Sequence, residues 1–155
     1  MSLSKLRKLT QDDIKRFSLK GHETKAKVLK IFDGDTCDLA FYFEGKLMRY
    51  KCRLADIDAT ELDEEDDQGR DGEIARDFLA WLCVGNDPED FPSDEEADTV
   101  EELQGTLDNN RKLVYAVFGN FGKYGRALVT IKSSKGAGES FNDLLVDYGF
   151  ADATQ

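Results

Sequence analysis

Residues 36–54 repeat apolar side chains at every second position on both sides of Glu44-Gly45, and no other feature restricts the fold so tightly. Cys37, Leu39, Phe41 and Phe43 share one face at period two, as do Met48, Tyr50, Cys52 and Leu54. Period two on either side of a tight turn predicts a β-hairpin. A hairpin brings its outer ends together, so Asp35 and the segment 58–61 are expected to meet. Carboxylates and Arg53 then converge at one end of a sheet, which makes that end a candidate site.

A chain of 155 residues with 40% apolar content and ten phenylalanines is long enough for one domain with a sizeable core. No apolar run approaches the length that spans a bilayer, and the N-terminus lacks the apolar stretch of a secretory signal. A soluble, intracellular protein with no membrane partner is expected. Cys37, Cys52 and Cys83 are odd in number and lie in apolar patterns, which favours buried free thiols in a reducing compartment over a disulfide. Their spacing matches no zinc site and His22 is the only histidine, so zinc chemistry and a histidine-based triad both lack residues.

The net charge of −11 is unevenly spread. Residues 61–102 hold 18 Asp and Glu against Arg70 and Arg76, a net of −16. The remaining 14 acidic and 19 basic residues leave a body of net +5, compatible with a polyanionic partner.

In chain order, residues 1–23 carry six Lys or Arg, and Thr10-Gln11-Asp12-Asp13 is a candidate cap for a short helix with Ile14, Phe17 and Leu19 on its apolar edge. Gly21 is expected to stop that helix and His22 to lie exposed in a linker. Residues 25–31 read as a first strand, with Asp33-Gly34-Asp35-Thr36 turning it into the hairpin. Residues 63–70 read as a polar loop. Ile74, Phe78, Trp81 and Leu82 then mark an amphipathic helix over 72–84, with Trp81 in core packing. Residues 86–110, acid-rich and holding both prolines, read as an insertion that could be a lid, a partner site or disordered. Residues 112–118 form a strand, 119–122 a loop and 127–131 a fifth strand. Ser140 or Asn142 caps a last helix through Phe141, Leu144, Leu145 and Tyr148, ended by Gly149. Five strands and an interposed helix predict an α+β, mainly β fold: a closed five-stranded barrel of the oligonucleotide-binding (OB-fold) type with two or three helices.

Four motifs in this order resemble the thermonuclease family, the staphylococcal-nuclease-like (SNase-like) domain. They are Asp33-Gly34-Asp35-Thr36, the run Arg53-Leu54-Ala55-Asp56-Ile57-Asp58-Ala59-Thr60-Glu61, the loop Lys123-Tyr124-Gly125-Arg126, and Asn142 to Ala151 with Leu145-Val146 and Gly149. The resemblance covers about residues 24–153 without the acidic insertion, leaving 1–23 as an N-terminal helical extension to a domain over 24–155. It implies a hydrolase: a Ca²⁺-dependent endonuclease acting on DNA or RNA, single strands preferred, as a monomer, and leaving 3′-phosphate ends. Asp35, Asp58 and the Ala59 carbonyl would be the metal ligands, hard oxygen donors that suit Ca²⁺, with Asp33 orienting them. Glu61 would position or deprotonate the attacking water. Arg53 and Arg126 would neutralise the phosphorane-like transition state with guanidinium forks matched to phosphate oxygens. Lys123 and Tyr124 would contact the terminal phosphate of the substrate.

The chain departs from the family pattern in three places. Thr60 stands where the family has proline, so the Glu61 loop lacks a fixed φ. Asp56 adds a negative charge. After the Asn142 helix the family usually continues into a further helix, which the N-terminal helix near Ile14 and Phe17 is expected to replace as a barrel cover. Two other readings stand beside the nuclease: a non-catalytic nucleic-acid- or protein-binding module on the same barrel, and an acidic segment that mimics nucleic acid or folds over the basic site.

Overall fold

The computed structural model describes residues 2–62, 71–122 and 125–154. The hairpin forms as its pattern dictates: β2 (Thr36–Phe43) pairs antiparallel with β3 (Lys46–Leu54), and Cys37 faces Cys52 while Leu39 faces Tyr50 and Phe41 faces Met48. Glu44 and Gly45 both take positive φ (50° and 78°), the type I′ geometry whose twist matches flanking strands. Preceding it, β1 (Glu23–Asp33) pairs with β2 through two register shifts that bend the strand towards the Asp33-Gly34 turn. The chain continues through β4 (Ile57–Ala59), α2 (Gly72–Cys83), a 3₁₀ turn (Pro88–Asp90), α3 (Val100–Asn109), β5 (Val114–Phe121), β6 (Ala127–Lys132), α4 (Phe141–Asp147) and β7 (Ala151–Ala153).

Strands β1, β2, β3, β6 and β5 close into a five-stranded barrel, consistent with the OB-like architecture. Every pairing is antiparallel except β3 with β6, which run parallel through Cys52–Ala127, Arg53–Leu128 and Leu54–Val129. The inward set is one cluster that includes Val28, Leu39, Phe41, Leu54, Phe118, Val129 and Ile131. The two short strands β4 and β7 pair separately, Asp58 opposite Asp152 and Ala59 opposite Ala151. All three cysteines are free and buried, and burial raises each thiol above its ordinary range, Cys52 to about 12. Among the described residues no helix is long and apolar enough to cross a membrane.

The N-terminal expectation needs correction. The helix there is α1 (Leu3–Arg7), capped by Ser2, whereas Thr10 and Asp13 only close a turn by exchanging hydrogen bonds. Ile14 is 63% exposed and on no helix, because Asp13 satisfies the backbone locally instead of starting one. The segment still reaches the barrel: Leu19 is buried, and the Phe17 ring meets Phe43 edge-on at 5.7 Å. His22 is half-buried among Phe41, Phe43 and Phe118, with Nε2 3.2 Å from the Tyr42 carbonyl. It is not the exposed linker residue expected. Residues 119–121 extend β5 through an irregular register instead of looping.

The acidic insertion is also ordered. Thr99 and Glu102 form a capping box that starts α3, and Leu103 and Leu107 bury the face turned to α2 and β1. Gln104 Nε2 donates to the Leu29 carbonyl of β1 at 2.8 Å. Ahead of α3, Arg76 and Asp77 on α2 form a buried pair that grips Asp98 from both sides. Arg76 donates to the Asp98 carbonyl, and Asp77 accepts from the Asp98 N–H at 2.8 Å. The polar loop expected over 63–70 lies outside the described residues.

Candidate active site

The Asp33-Gly34-Asp35 turn sits where β1 hands over to β2, and its closeness to the rest of the fold depends on Gly34. A Cβ there would stand 2.8 Å from Ala59 Cβ and 3.1 Å from Ala75 Cβ, inside contact distance. The turn is thereby pressed between β4 and α2. Asp33 Oδ1 accepts the Asp35 N–H at 3.0 Å, which fixes the turn from within. Asp35, almost fully buried, accepts the Ala59 N–H on Oδ2 at 2.9 Å and Arg53 on the same oxygen at 3.1 Å.

Arg53, near the end of β3, closes the group. One terminal nitrogen donates both to Asp35 and to Asp58 Oδ1 at 3.2 Å, and the other donates to the Ile57 carbonyl at 3.3 Å. Asp35, Asp58 and the Ile57 carbonyl therefore meet around one guanidinium, with the Ala59 N–H on Asp35, so the outer ends of the hairpin come together as expected. Burial above all, then the hydrogen bond and charge of Asp33, raise Asp35 to about 6 against the opposing pull of Ala59 N–H and Arg53. Negative charge is crowded here, and a cation would relieve it.

Two carboxylates and a backbone segment are oxygen donors, a set that suits a hard cation. Among the described residues no three His, Cys, Asp or Glu side chains gather as a metal-binding group. A cation at Asp35 and Asp58 would complete its shell with backbone, water or substrate oxygens.

Arg53 and Arg126 line one cleft of about 280 Å³ together with Gly122 and Leu128. The parallel β3–β6 pairing places them side by side, since Arg53 is in register with Leu128, two residues beyond Arg126. The Gly122 N–H donates to the Arg126 carbonyl at 2.7 Å, and the Tyr50 hydroxyl donates to the Gly125 carbonyl at 3.2 Å, tying Gly125 to β3. Lys123 and Tyr124 lie outside the described residues. Thr60 is buried and Glu61 exposed, with the Glu61 carbonyl packed against Gly72 so closely that any larger residue there would collide.

Asp56 belongs elsewhere. It takes a left-handed φ of 64° in the turn between β3 and β4 and lines a separate cleft with Glu139, Asp143 and Asp147. Its carbonyl accepts the Thr154 N–H. The acidic insertion contributes no lining residue to the arginine cleft among the described residues.

Sequence reasoning missed the structural part played by Asn142, which is 4% exposed and fully used. Its Oδ1 accepts the Ile131 N–H, and its Nδ2 donates to the carbonyls of Ala55 and Val129. This side chain staples α4 to β6 and to the turn leading to Asp58. A lone asparagine in one sequence carries no signal for that role. No protein-family model matches the chain, and no curated protein matches it significantly.

Proposed function

We propose that the protein is a Ca²⁺-dependent nuclease that hydrolyses phosphodiester bonds of DNA or RNA. The observation that carries this reading is the cleft shared by Arg53 and Arg126, with Arg53 also hydrogen-bonded to Asp35 and Asp58. Two guanidinium groups facing one small cleft suit the charge that builds on a phosphate as it is attacked. Asp35, Asp58 and the Ala59 carbonyl would hold the cation, which supplies Lewis-acid polarisation of a phosphate oxygen. Asp33 holds Asp35 by its backbone and adds negative charge behind it. Glu61, exposed two residues after Ala59, would position or deprotonate the attacking water. Release of 3′-phosphate ends follows the family resemblance.

A binding module without cleavage is the second reading. It is favoured by the engagement of one Arg53 nitrogen with two carboxylates, a geometry that also serves as a structural ion pair. Digestion of single-stranded DNA with Ca²⁺ against chelator, beside Glu61→Gln and Arg126→Ala, separates the two. The nuclease reading expects calcium-dependent cleavage that falls by about 10²–10³ in Arg126→Ala, as for loss of a transition-state donor. DNA binding with no cleavage in the unaltered protein would overturn it in favour of the module.

A further inference from the structure

We propose that Phe17, Phe121 and Tyr50 form a stacking platform for the unpaired bases of a single-stranded nucleic acid entering the arginine cleft. The inference rests on the nucleic-acid reading of that cleft. Phe121 ends β5 and is followed directly by Gly122, which lines the cleft. Its ring stacks on Tyr50 at 5.6 Å with 20° between planes, and Tyr50 is held in place by its hydroxyl bond to Gly125. The Phe17 ring lies 6.0 Å from Phe121 at 33°, extending the series of rings away from the cleft.

Phe17 is 53% exposed, although the same segment buries Leu19 almost completely. An aromatic ring that served only to seal the barrel would be expected to bury more of its surface. Tyr50 and Phe121 are also only partly buried, so the series presents ring surface to solvent. Lys15 and Arg16 precede Phe17 and are exposed, giving basic side chains beside an open ring. Aromatic faces interleaved with cations are how proteins hold single strands without reading sequence: the cations follow phosphates and the rings take bases. A duplex keeps its bases stacked inside and cannot use the rings. The charge complementarity and the cleft at one end of the series commit the occupant to single-stranded DNA or RNA, with phosphate at Arg53 and Arg126 and successive bases outward to Phe17.

The test is equilibrium binding of a short fluorescent oligothymidylate to the full chain carrying Glu61→Gln, beside an abasic strand of the same length. Phe17→Leu keeps an apolar side chain but removes the ring face. It should weaken oligothymidylate binding about 5- to 160-fold, the range that loss of one stacked base implies. Binding of the abasic strand should stay unchanged, and Phe17→Trp should restore the oligothymidylate. Equal affinity of Phe17→Leu and its parent for oligothymidylate overturns the platform, as does an equal loss on both strands. Cleavage by the unaltered protein with no Phe17 effect on binding removes this inference alone. A Phe17-dependent affinity without cleavage removes only the catalytic reading. Absence of binding to either strand removes both.

Discussion

Replacing Asn142 by leucine tests whether the candidate site is held by a polar staple or by apolar packing alone. Leucine has nearly the same shape, so the change leaves no large cavity and isolates the hydrogen bonds. Three contacts disappear, but their consequences differ. The Val129 carbonyl keeps the Ala55 N–H as a partner, while the Ile131 N–H and the Ala55 carbonyl lose the partner that Asn142 supplies. The Ile131 N–H is buried and the Ala55 carbonyl part-buried; left unsatisfied they cost about 1–3 kcal/mol each. Against this stands a gain of about 1.5–3 kcal/mol from an additional buried apolar side chain. At mid-range the net loss should be about 2 kcal/mol, a sizeable part of the ~5–15 kcal/mol typical of a domain. Urea unfolding should show it as a lower midpoint at unchanged slope. Asn142→Asp sharpens the test. It keeps the acceptor for Ile131 but turns a carboxylate towards two carbonyls, so its folded pKa must lie above the ordinary value. Its deficit relative to the unaltered protein should therefore shrink as pH falls from 7 to 4. A leucine variant within about 0.5 kcal/mol of the parent, the scatter of a neutral surface change, would refute the staple, and so would a pH-independent aspartate deficit.

Asp35 makes metal-free stability depend on pH. Its folded value of about 6 exceeds an unfolded value near 3.9, so the folded chain binds the extra proton and stability falls as pH rises from about 4 to 6, by on the order of 3 kcal/mol. Chelator-treated protein should show that slope in thermal melts, and Asp35→Asn should flatten it. Asp77→Ala strands the buried Arg76 charge and releases Asp98, for an expected loss of about 3–5 kcal/mol and faster proteolysis within residues 91–99. The double change Arg76→Met with Asp77→Leu should recover much of that stability but not the protection, since Asp98 stays released. Gly34→Ala drives a methyl into Ala59 and Ala75, so we expect about 1–3 kcal/mol of destabilisation together with weaker Ca²⁺ binding by calorimetry. Unchanged calcium affinity there would show that the turn does not position Asp35.

The hairpin was legible because apolar residues recur at period two in both strands and its turn residues accept positive φ. The meeting of Asp35, Arg53 and Asp58 followed from it by topology alone. α3 escaped notice because acidic residues outnumber the two leucines that it buries. Its signal lay in Thr99 and Glu102, a capping box three residues apart within a stretch read by its charge. The apolar spacing of Ile14 and Phe17 misled in the opposite direction. It mimics a helix edge, but Phe17 reaches the barrel from an irregular segment and Ile14 stays exposed. β4 and β7 are three residues each and exist only by pairing with one another, which no local pattern encodes. The approach of Arg126 to Arg53 depends on the parallel β3–β6 contact, so only the family resemblance suggested it.

That parallel contact also sets the timing of assembly. The hairpin can form early from neighbouring residues, but Tyr50 on β3 and Gly125 just before β6, joined by a hydrogen bond, stand 75 residues apart in the chain. Closing so long a loop costs entropy that the distant pairing must recover, which makes it a late event in folding. During synthesis the ribosome must release β6 before the two arginines can face each other. A nascent chain stopped short of β6 would already carry its carboxylate turn and yet present no arginine cleft to the nucleic acid around it.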